Sequence, residues 1–284
     1  MSAAALQQAF LQACRLDVEV RKPGNVSLAS PGHRMVAQQF LDSAQAAAGP
    51  LFEAGASVGR RIEGAIAATW AAVGCNTNLG IVLLCAPLAR AAERPGALAS
   101  RATLRAELGR VLQSLDVADA EAAYRAIVQA NPGGLGQSAE SDVHAAPQVT
   151  LLQAMEIAQA RDSIARQYAR GFGDVFAMAP GSGFAPGPNG REATVLAVYL
   201  GFLQGWPDSH IVRKHGEAVA QNVMSAAQGL AAIVRHDAQA PQLAEWDETL
   251  KRQGLNPGTS ADLTVAALFV ASLPFADGSA WHGS

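Results

Sequence analysis

Residues 79–92 read LGIVLLCAPLARAA, and few folds have room for such a stretch. It is shorter than the roughly 20 apolar residues that a membrane helix needs. It is too long and too rich in Ala and Leu for a strand, which usually runs to about 4–8 residues and favours β-branched side chains. What remains is a helix that is apolar on every side, and such a helix belongs in the middle of a bundle, bent here by Pro87.

Working outward, the same period recurs on both sides. Leu6, Phe10, Ala13, Asp17 and Val20 fall at intervals of three and four, which predicts an amphipathic helix ending before Pro23-Gly24 with Asp17 on its apolar stripe. Further helices are expected near Met35–Ala48, Gly59–Ala72, Leu104–Leu112 and Ala118–Gln129. Val149–Phe172 reads as one long helix and Thr194–Gln204 as a second central one. Val219, Val223, Ala226, Leu230 and Ile233 form another stripe, and Gly258-Thr259-Ser260 opens a last helix reaching Leu273. No stretch alternates with period two over a strand's length, and no repeat of 20–50 residues is found. Gly-, Ser- and Pro-rich loops at 131–136, 138–147 and 178–190 are candidate boundaries, but the apolar helices after each are too few to form a core alone. The expectation is a single compact all-α domain over residues 1–284 with central apolar helices.

Composition narrows the function. Apolar residues make up 50% and charged residues 16% of the chain, a globular balance. The net charge is −3 with Lys and Arg scattered, so there is no electrostatic footprint for nucleic acid. Cys14, Cys75 and Cys85 give neither a disulfide framework nor zinc spacing and suit a reducing cytoplasm. The first 20 residues lack a basic leader followed by an apolar core and carry Asp17 and Glu19, which does not read as a signal peptide, and no membrane segment is expected.

Polar residues interrupt the buried pattern in five islands: Asp17 to Asn25, Asn76 to Gly80, Arg161 to Asp174, Asp208 to Gly216, and Asn256 to Asp262. Helical bundles assemble sites from facing helices and from loops at one end, so the islands are candidates for one site. Each also has a plainer reading. Lys22-Pro23-Gly24 can be a helix stop with a solvated lysine, or a lysine set to meet a phosphate. One of Asn76, Thr77 and Asn78 can cap the Leu79 helix, and the group also suits a phosphate or the edge of a base. Asp162 with Arg166 fits a surface ion pair. Arg213 and Lys214 near Asp208 suit polyphosphate with Mg²⁺. Thr259 with Asp262 fits a capping box or a phosphate and metal site.

The segments LDVEVRKPGNVS, GHRM with FLDSA, GCNTNLGIVLLCAPLA, NPGGLG with SDV, RDSIARQYARGFGDVF, PDSHIVRKHG and LNPGTSADLTVAALF span residues 16–269. In order and chemistry they resemble the triphosphoribosyl-dephospho-CoA synthase family, which makes the prosthetic-group precursor of citrate lyase and malonate decarboxylase. The likeness is closest to its archaeal and methylotroph branch. Where the citrate-lyase branch has Asn-Thr-His-Lys-Gly, this chain has Asn76-Thr77-Asn78-Leu79-Gly80; Arg34 follows His33 in place of an acid, and Asp17 stands where Glu is common.

The resemblance implies an enzyme, a pentosyl transferase. ATP loses adenine, and C1′ of its ribose is attacked by a ribose hydroxyl of dephospho-CoA, with the triphosphate retained. Such a transfer passes through an oxocarbenium-like transition state and needs cations, a carboxylate, a base and help for the leaving adenine. Lys22, Arg213 and Lys214 are then expected on the triphosphate, with Asn25, Arg161, Thr259 and Ser260 also binding substrate. Asn76, Thr77 and Asn78 position the nucleotide, and Asp208 and Asp262 take Mg²⁺. Asp174, Asp162 and Asp17 are candidates for base or oxocarbenium stabiliser, and His33, His210 and His215 for proton carriers. Other readings are transfer to a different hydroxyl in biosynthesis of a tetrahydromethanopterin-type one-carbon cofactor, an ATP-binding helical module without turnover, and an N-glycoside hydrolase.

Overall fold

The computed structural model describes residues 3–131, 143, 145–181, 190–234, 237 and 240–279, and among them the chain forms fourteen α-helices and no strand. In chain order these are α1 (Ala3–Glu19), α2 (Ala37–Leu51), α3 (Val58–Val73), α4 (Leu79–Ala92), α5 (Arg101–Gln113), α6 (Val117–Ala130) and α7 (Leu151–Ala158), followed by α8 (Ser163–Ala169), α9 (Gly173–Met178), α10 (Gly190–Gly205), α11 (Ser209–His215), α12 (Glu217–Val234), α13 (Pro241–Arg252) and α14 (Gly258–Ser272). The loops expected at 131–136, 138–147 and 178–190 fall largely outside the described residues.

Every residue of α4 except Arg90 is buried, as an all-round apolar helix requires, and Arg90 turns to Glu93 at 3.3 Å. The helix runs unbroken through Pro87. Helix α4 packs on α3, α5 and α14, while α14, itself almost wholly buried, also touches α1 and α10. Phe10, Phe52 and Phe269 join α1, the end of α2 and α14, with ring centroids 5.6, 6.2 and 5.8 Å apart in tilted and edge-on contacts. A single apolar core runs from Leu6 to Phe275. Arg61, fully buried on α3, is matched at every edge: it donates to the Ala56 and Leu51 carbonyls and to Glu93 at 2.7 Å.

Two sequence expectations are corrected. The long helix over Val149–Phe172 is three elements, α7, α8 and α9. Helix α7 ends at Ala158, and Asp162 starts the next, its Oδ1 accepting the N–H of Ile164 at 2.9 Å and of Ala165 at 3.0 Å. Phe172 then adopts a left-handed φ of 56° and is wholly buried, a conformation costly for a bulky residue and held here by packing. Nor do Thr259 and Asp262 form a capping box. Pro257 occupies the cap position of α14, Thr259 Oγ1 accepts the His210 N–H at 3.2 Å, and Asp262 faces a cleft.

Candidate active site

Helix α1 delivers Asp17 to the lining of a cleft of about 730 Å³. Past its end, the chain 20–36 is laced to α13 through Asp247, which accepts from Gly24 N (2.8 Å), Ser30 Oγ (2.6 Å) and Arg21 Nε (2.8 Å) and lies 3.0 Å from Lys251 Nζ. Burial alone would raise the Asp247 carboxyl, but these donors outweigh it and hold it below the usual carboxylate range. Gly24 has φ +79°, and a β-carbon there would lie 2.8 Å from Pro257, so the turn needs glycine.

That lacing folds Lys22 inward. Its side chain is 0% exposed, donates to the Asp17 carbonyl and lies 3.2 Å from Asp17 Oδ1. Lys22 thus sits behind the carboxylate and does not line the cleft, contrary to the expectation that it meets the triphosphate. Burial raises the Asp17 carboxyl, with Lys22 opposing the shift. His33 sits in a tight turn with Arg34 at φ of 53° and 62°, and its Nε2 bonds the Gly24 carbonyl at 2.8 Å. Burial lowers its pKa, with Lys251 and Lys214 adding to the shift and the Gly24 bond opposing it; because a carbonyl can only accept, the neutral ring carries its proton on Nε2 and keeps a lone pair on Nδ1.

The second island forms the N-terminal end of α4. Asn76 Oδ1 takes the capping role, accepting the Leu79 N–H at 3.1 Å, and Thr77 Oγ1 bonds Ser43 Oγ at 2.5 Å. Asn78 Nδ2 donates to Thr69 Oγ1 at 3.0 Å, while its buried Oδ1 has no partner among the described residues. Asp262, from α14, lies over this end. A β-carbon on Gly80 would sit 2.0 Å from Asp262 Oδ2, so the bare backbone of glycine admits the carboxylate. Burial, then Asp17 and Asp208, push the Asp262 carboxyl well up, with Arg213 opposing.

Facing them, α11 carries Arg213, whose Nη1 lies 2.8 Å from Asp162 Oδ2 with both side chains 25% exposed. Its Nε is buried without a partner among the described residues. Lys214 lines the same wall and is exposed. His210 Nε2 also lacks a partner among the described residues. Burial, then Lys214 and Arg213, depress its pKa to about 3, so it is a neutral imidazole and not a carrier of positive charge.

The cleft therefore gathers Asp17, Asn25, His33, Asn76, Thr77, Asn78, Arg161, Asp162, His210, Arg213, Lys214 and Asp262. The other expected residues lie elsewhere. Asp208 is 2% exposed and fully engaged: Oδ1 accepts from His210 N and Ile211 N, and Oδ2 from Ser260 N and Oγ, both at 2.8 Å. It caps α11 and latches it to α14, which leaves no lone pair directed at a metal, and Thr259 and Ser260 serve the same latch. Asp174 is 44% exposed, paired with Arg166 at 3.4 Å and Gln167 at 2.8 Å, outside the cleft. His215 is exposed at the end of α11 and does not line the cleft either. The apolar wall, with Phe40, Trp70, Tyr124, Leu151 and Met155, gave no sequence signal, because its spacing is that of core residues.

A crystal structure from Archaeoglobus fulgidus, provisionally described as a triphosphoribosyl-dephospho-CoA synthase, aligns with a TM-score of 0.65 and 22% identity, covering 82% of this chain and 98% of that one, which establishes a shared fold. No curated relative matches the sequence. No helix among the described residues is long and apolar enough to cross a membrane. The family model for ATP:dephospho-CoA triphosphoribosyl transferase matches residues 3–279, nearly the whole chain, and the protein is therefore a transferase of that family, moving the triphosphoribosyl group of ATP to dephospho-CoA.

Proposed function

We propose that the transfer takes place in the cleft between α1, α4, α11 and α14, with Asp17, Asp262, Arg213 and the Asn76–Asn78 segment as its working parts. The observation that carries this is their convergence: residues up to 245 positions apart line one cavity, and in it Arg213 pairs with Asp162. Arg213 and Lys214 hold the triphosphate, and Asp162 sets the angle of the Arg213 guanidinium. Asn25 and Asn76 orient the ribose. Asp17, raised toward neutrality by burial and steadied by Lys22, takes the proton of the attacking hydroxyl. As the C1′–N9 bond of ATP breaks and the C1′–O bond to the acceptor forms, charge develops on the ribose opposite the carboxylates. Neutral His210, with its unpartnered Nε2, is placed to hydrogen-bond the departing adenine, which takes up one proton from solvent as it leaves, while His33 Nδ1 relays the proton of Asp17 to solvent, so that no net proton is gained or lost.

The residues fit Mg²⁺. No group of three or more candidate ligands is found among the described residues, but Mg²⁺ is commonly held by one or two carboxylates together with substrate phosphates. Asp262 is the carboxylate of that kind here: it faces the cleft near Asp17, and a cation would relieve the repulsion between them. Bound there with ATP, Mg²⁺ would neutralise triphosphate charge. Asp208, with its oxygens already committed, is left out of this assignment.

The test is to incubate purified protein with MgATP and dephospho-CoA and to follow adenine by chromatography and the conjugate by mass spectrometry. Equimolar adenine and triphosphoribosyl-dephospho-CoA are expected. Adenine without acceptor would mean hydrolysis, and ATP binding without adenine would mean a module that does not turn over.

A further inference from the structure

Asn78 is 4% exposed, lines the cleft, and has its amide orientation set from one side. The Ser43 carbonyl, which can only accept, lies 3.5 Å from Nδ2, and Thr69 Oγ1 lies 3.0 Å from the same atom. The carbonyl Oδ1 is thereby turned away from both, buried and without a donor among the described residues. A buried acceptor left unpaired costs about 1–3 kcal/mol, so a fold that holds one at the wall of a binding cleft points to a donor arriving with the ligand.

The surroundings say what kind of donor. Trp70 follows Thr69 on α3, lines the same cleft and is 37% exposed, large for an indole in an interior wall. Met35, Phe40 and Cys75 complete this side, and no charged residue from α2 or α3 lines the cleft. On the α2–α3 side, away from Asp262, a wall without charge that offers an open aromatic face and one fixed acceptor suits a purine carrying an amino group better than a phosphate or a sugar.

We propose that Asn78 and Trp70 form the seat of the donor's adenine, Asn78 Oδ1 accepting from the 6-amino group and Trp70 stacking on the ring. The assignment rests on the reading of the cleft given above. It makes Asn78 a specificity-determining residue, because the base is lost in the reaction and the transferred group is the same whichever purine leaves. Discrimination between donors must then come from contacts of this kind.

Inosine 5′-triphosphate replaces the 6-amino donor with an acceptor and so tests the contact. With dephospho-CoA as acceptor, wild type should favour ATP over inosine triphosphate by about ten-fold or more in kcat/KM. Asn78→Ala should bring that ratio within about three-fold of unity, mostly by loss of ATP turnover. Asn78→Asp, which keeps an acceptor oxygen, should retain a preference for ATP. Trp70→Ala should weaken both triphosphates by about ten-fold without changing their ratio. The proposal is overturned if Asn78→Ala lowers both donors equally, or if the ratio is unity in wild type. It is also overturned if Asn78→Ala changes discrimination only between dephospho-CoA and its hypoxanthine counterpart, which would give the seat to the acceptor. Failure of the wider reading is distinct: wild type would then release no base from either triphosphate.

Discussion

Two dipeptides of identical composition, Arg21-Lys22 and Arg213-Lys214, each sit at the end of a helix beside a Gly-containing turn, and the fold gives them opposite environments. The first is consumed by the protein: Arg21 bonds Asp247, and Lys22, 0% exposed, pairs with Asp17. The second lines the cleft, with Arg213 held by one half-buried carboxylate and Lys214 exposed. Partners make the difference. The chain after Pro23-Gly24 is tied down by Asp247 and Tyr199, whose hydroxyl donates to the Pro23 carbonyl at 2.7 Å, so Lys22 has nowhere to go but inward. Helix α11 ends at His215, and among the described residues the ion pair of Arg213 with Asp162 is the one tie given to its Arg-Lys pair. One pair builds a carboxylate, and the other is left to bind an anion.

The strongest way to break this comparison is Lys22→Met. If Lys22 supports Asp17 and binds no phosphate, the substitution leaves a buried carboxylate uncompensated and should cost about 3–5 kcal/mol in denaturant unfolding. Asp17→Asn should rescue much of that loss in the double variant, because the two side chains act as a unit. Turnover should fall by at least about 100-fold in any variant that still folds, while ATP affinity by calorimetric titration stays within about three-fold. A ten-fold loss of ATP affinity with little loss of stability would return Lys22 to the triphosphate.

Arg213→Ala should do the reverse. A guanidinium on a phosphate makes charge-assisted bonds worth about 1.5–3 kcal/mol, so MgATP affinity should drop by about ten-fold or more. Its ion pair with Asp162 is a quarter exposed on each side, so stability should move by less than about 1 kcal/mol. Lysine at 213 should recover only part of the affinity, for want of the planar fork. Unchanged titration curves would remove Arg213 from the site.

These contrasts mark what the sequence could show. Helices α4 and α14 were legible because all-round apolar runs of that length have one stable use, and the inward Asp17 because it interrupts a stripe. The break at Asp162 was hidden by flanking Ala, Ile and Arg residues that suit a continuous helix equally well, although Asp before Ser-Ile is itself a cap signal. The use of Asp208 was hidden too, since an aspartate that caps a helix and one that holds a metal look alike until the Ser260 donors are in place. Burial of Lys22 depends on Asp247, 225 residues away, and nothing local announces it.

Asp262 sharpens the comparison from the carboxylate side, because unlike Asp17 it pairs with no lysine among the described residues. Its carboxyl is raised by burial and by Asp17 and Asp208, so its folded-state pKa exceeds the unfolded value. For an acid shifted this way, the ionised form is the penalised one. The penalty is fully present above the folded pKa, declines as pH falls through it, and is gone below the unfolded value of about 4. Asp262→Asn should therefore stabilise the metal-free protein at pH 8, by on the order of 1 kcal/mol, and do almost nothing near pH 4, while abolishing turnover. Thermal unfolding across that range checks the sign, and a destabilised variant at pH 8 would mean that the carboxylate is paired.

The smallest effect belongs to Lys214, which completes the contrast with Lys22. An exposed ammonium on a flexible stem meets a phosphate as a screened point charge, so its contribution should lie near 0.5 kcal/mol, or a two- to three-fold change in MgATP affinity. It should also fade with salt. At about 1 M ionic strength the Debye length shrinks to roughly 3 Å, and Lys214→Ala should then bind MgATP like wild type, whereas the Arg213→Ala defect, carried by direct hydrogen bonds, should persist. Titrations at low and high salt separate the two. Were Lys214→Ala as costly as Arg213→Ala and equally insensitive to salt, Lys214 would be making a direct, desolvated contact, and the wall of α11 would close over the triphosphate further than its exposure in the free protein implies.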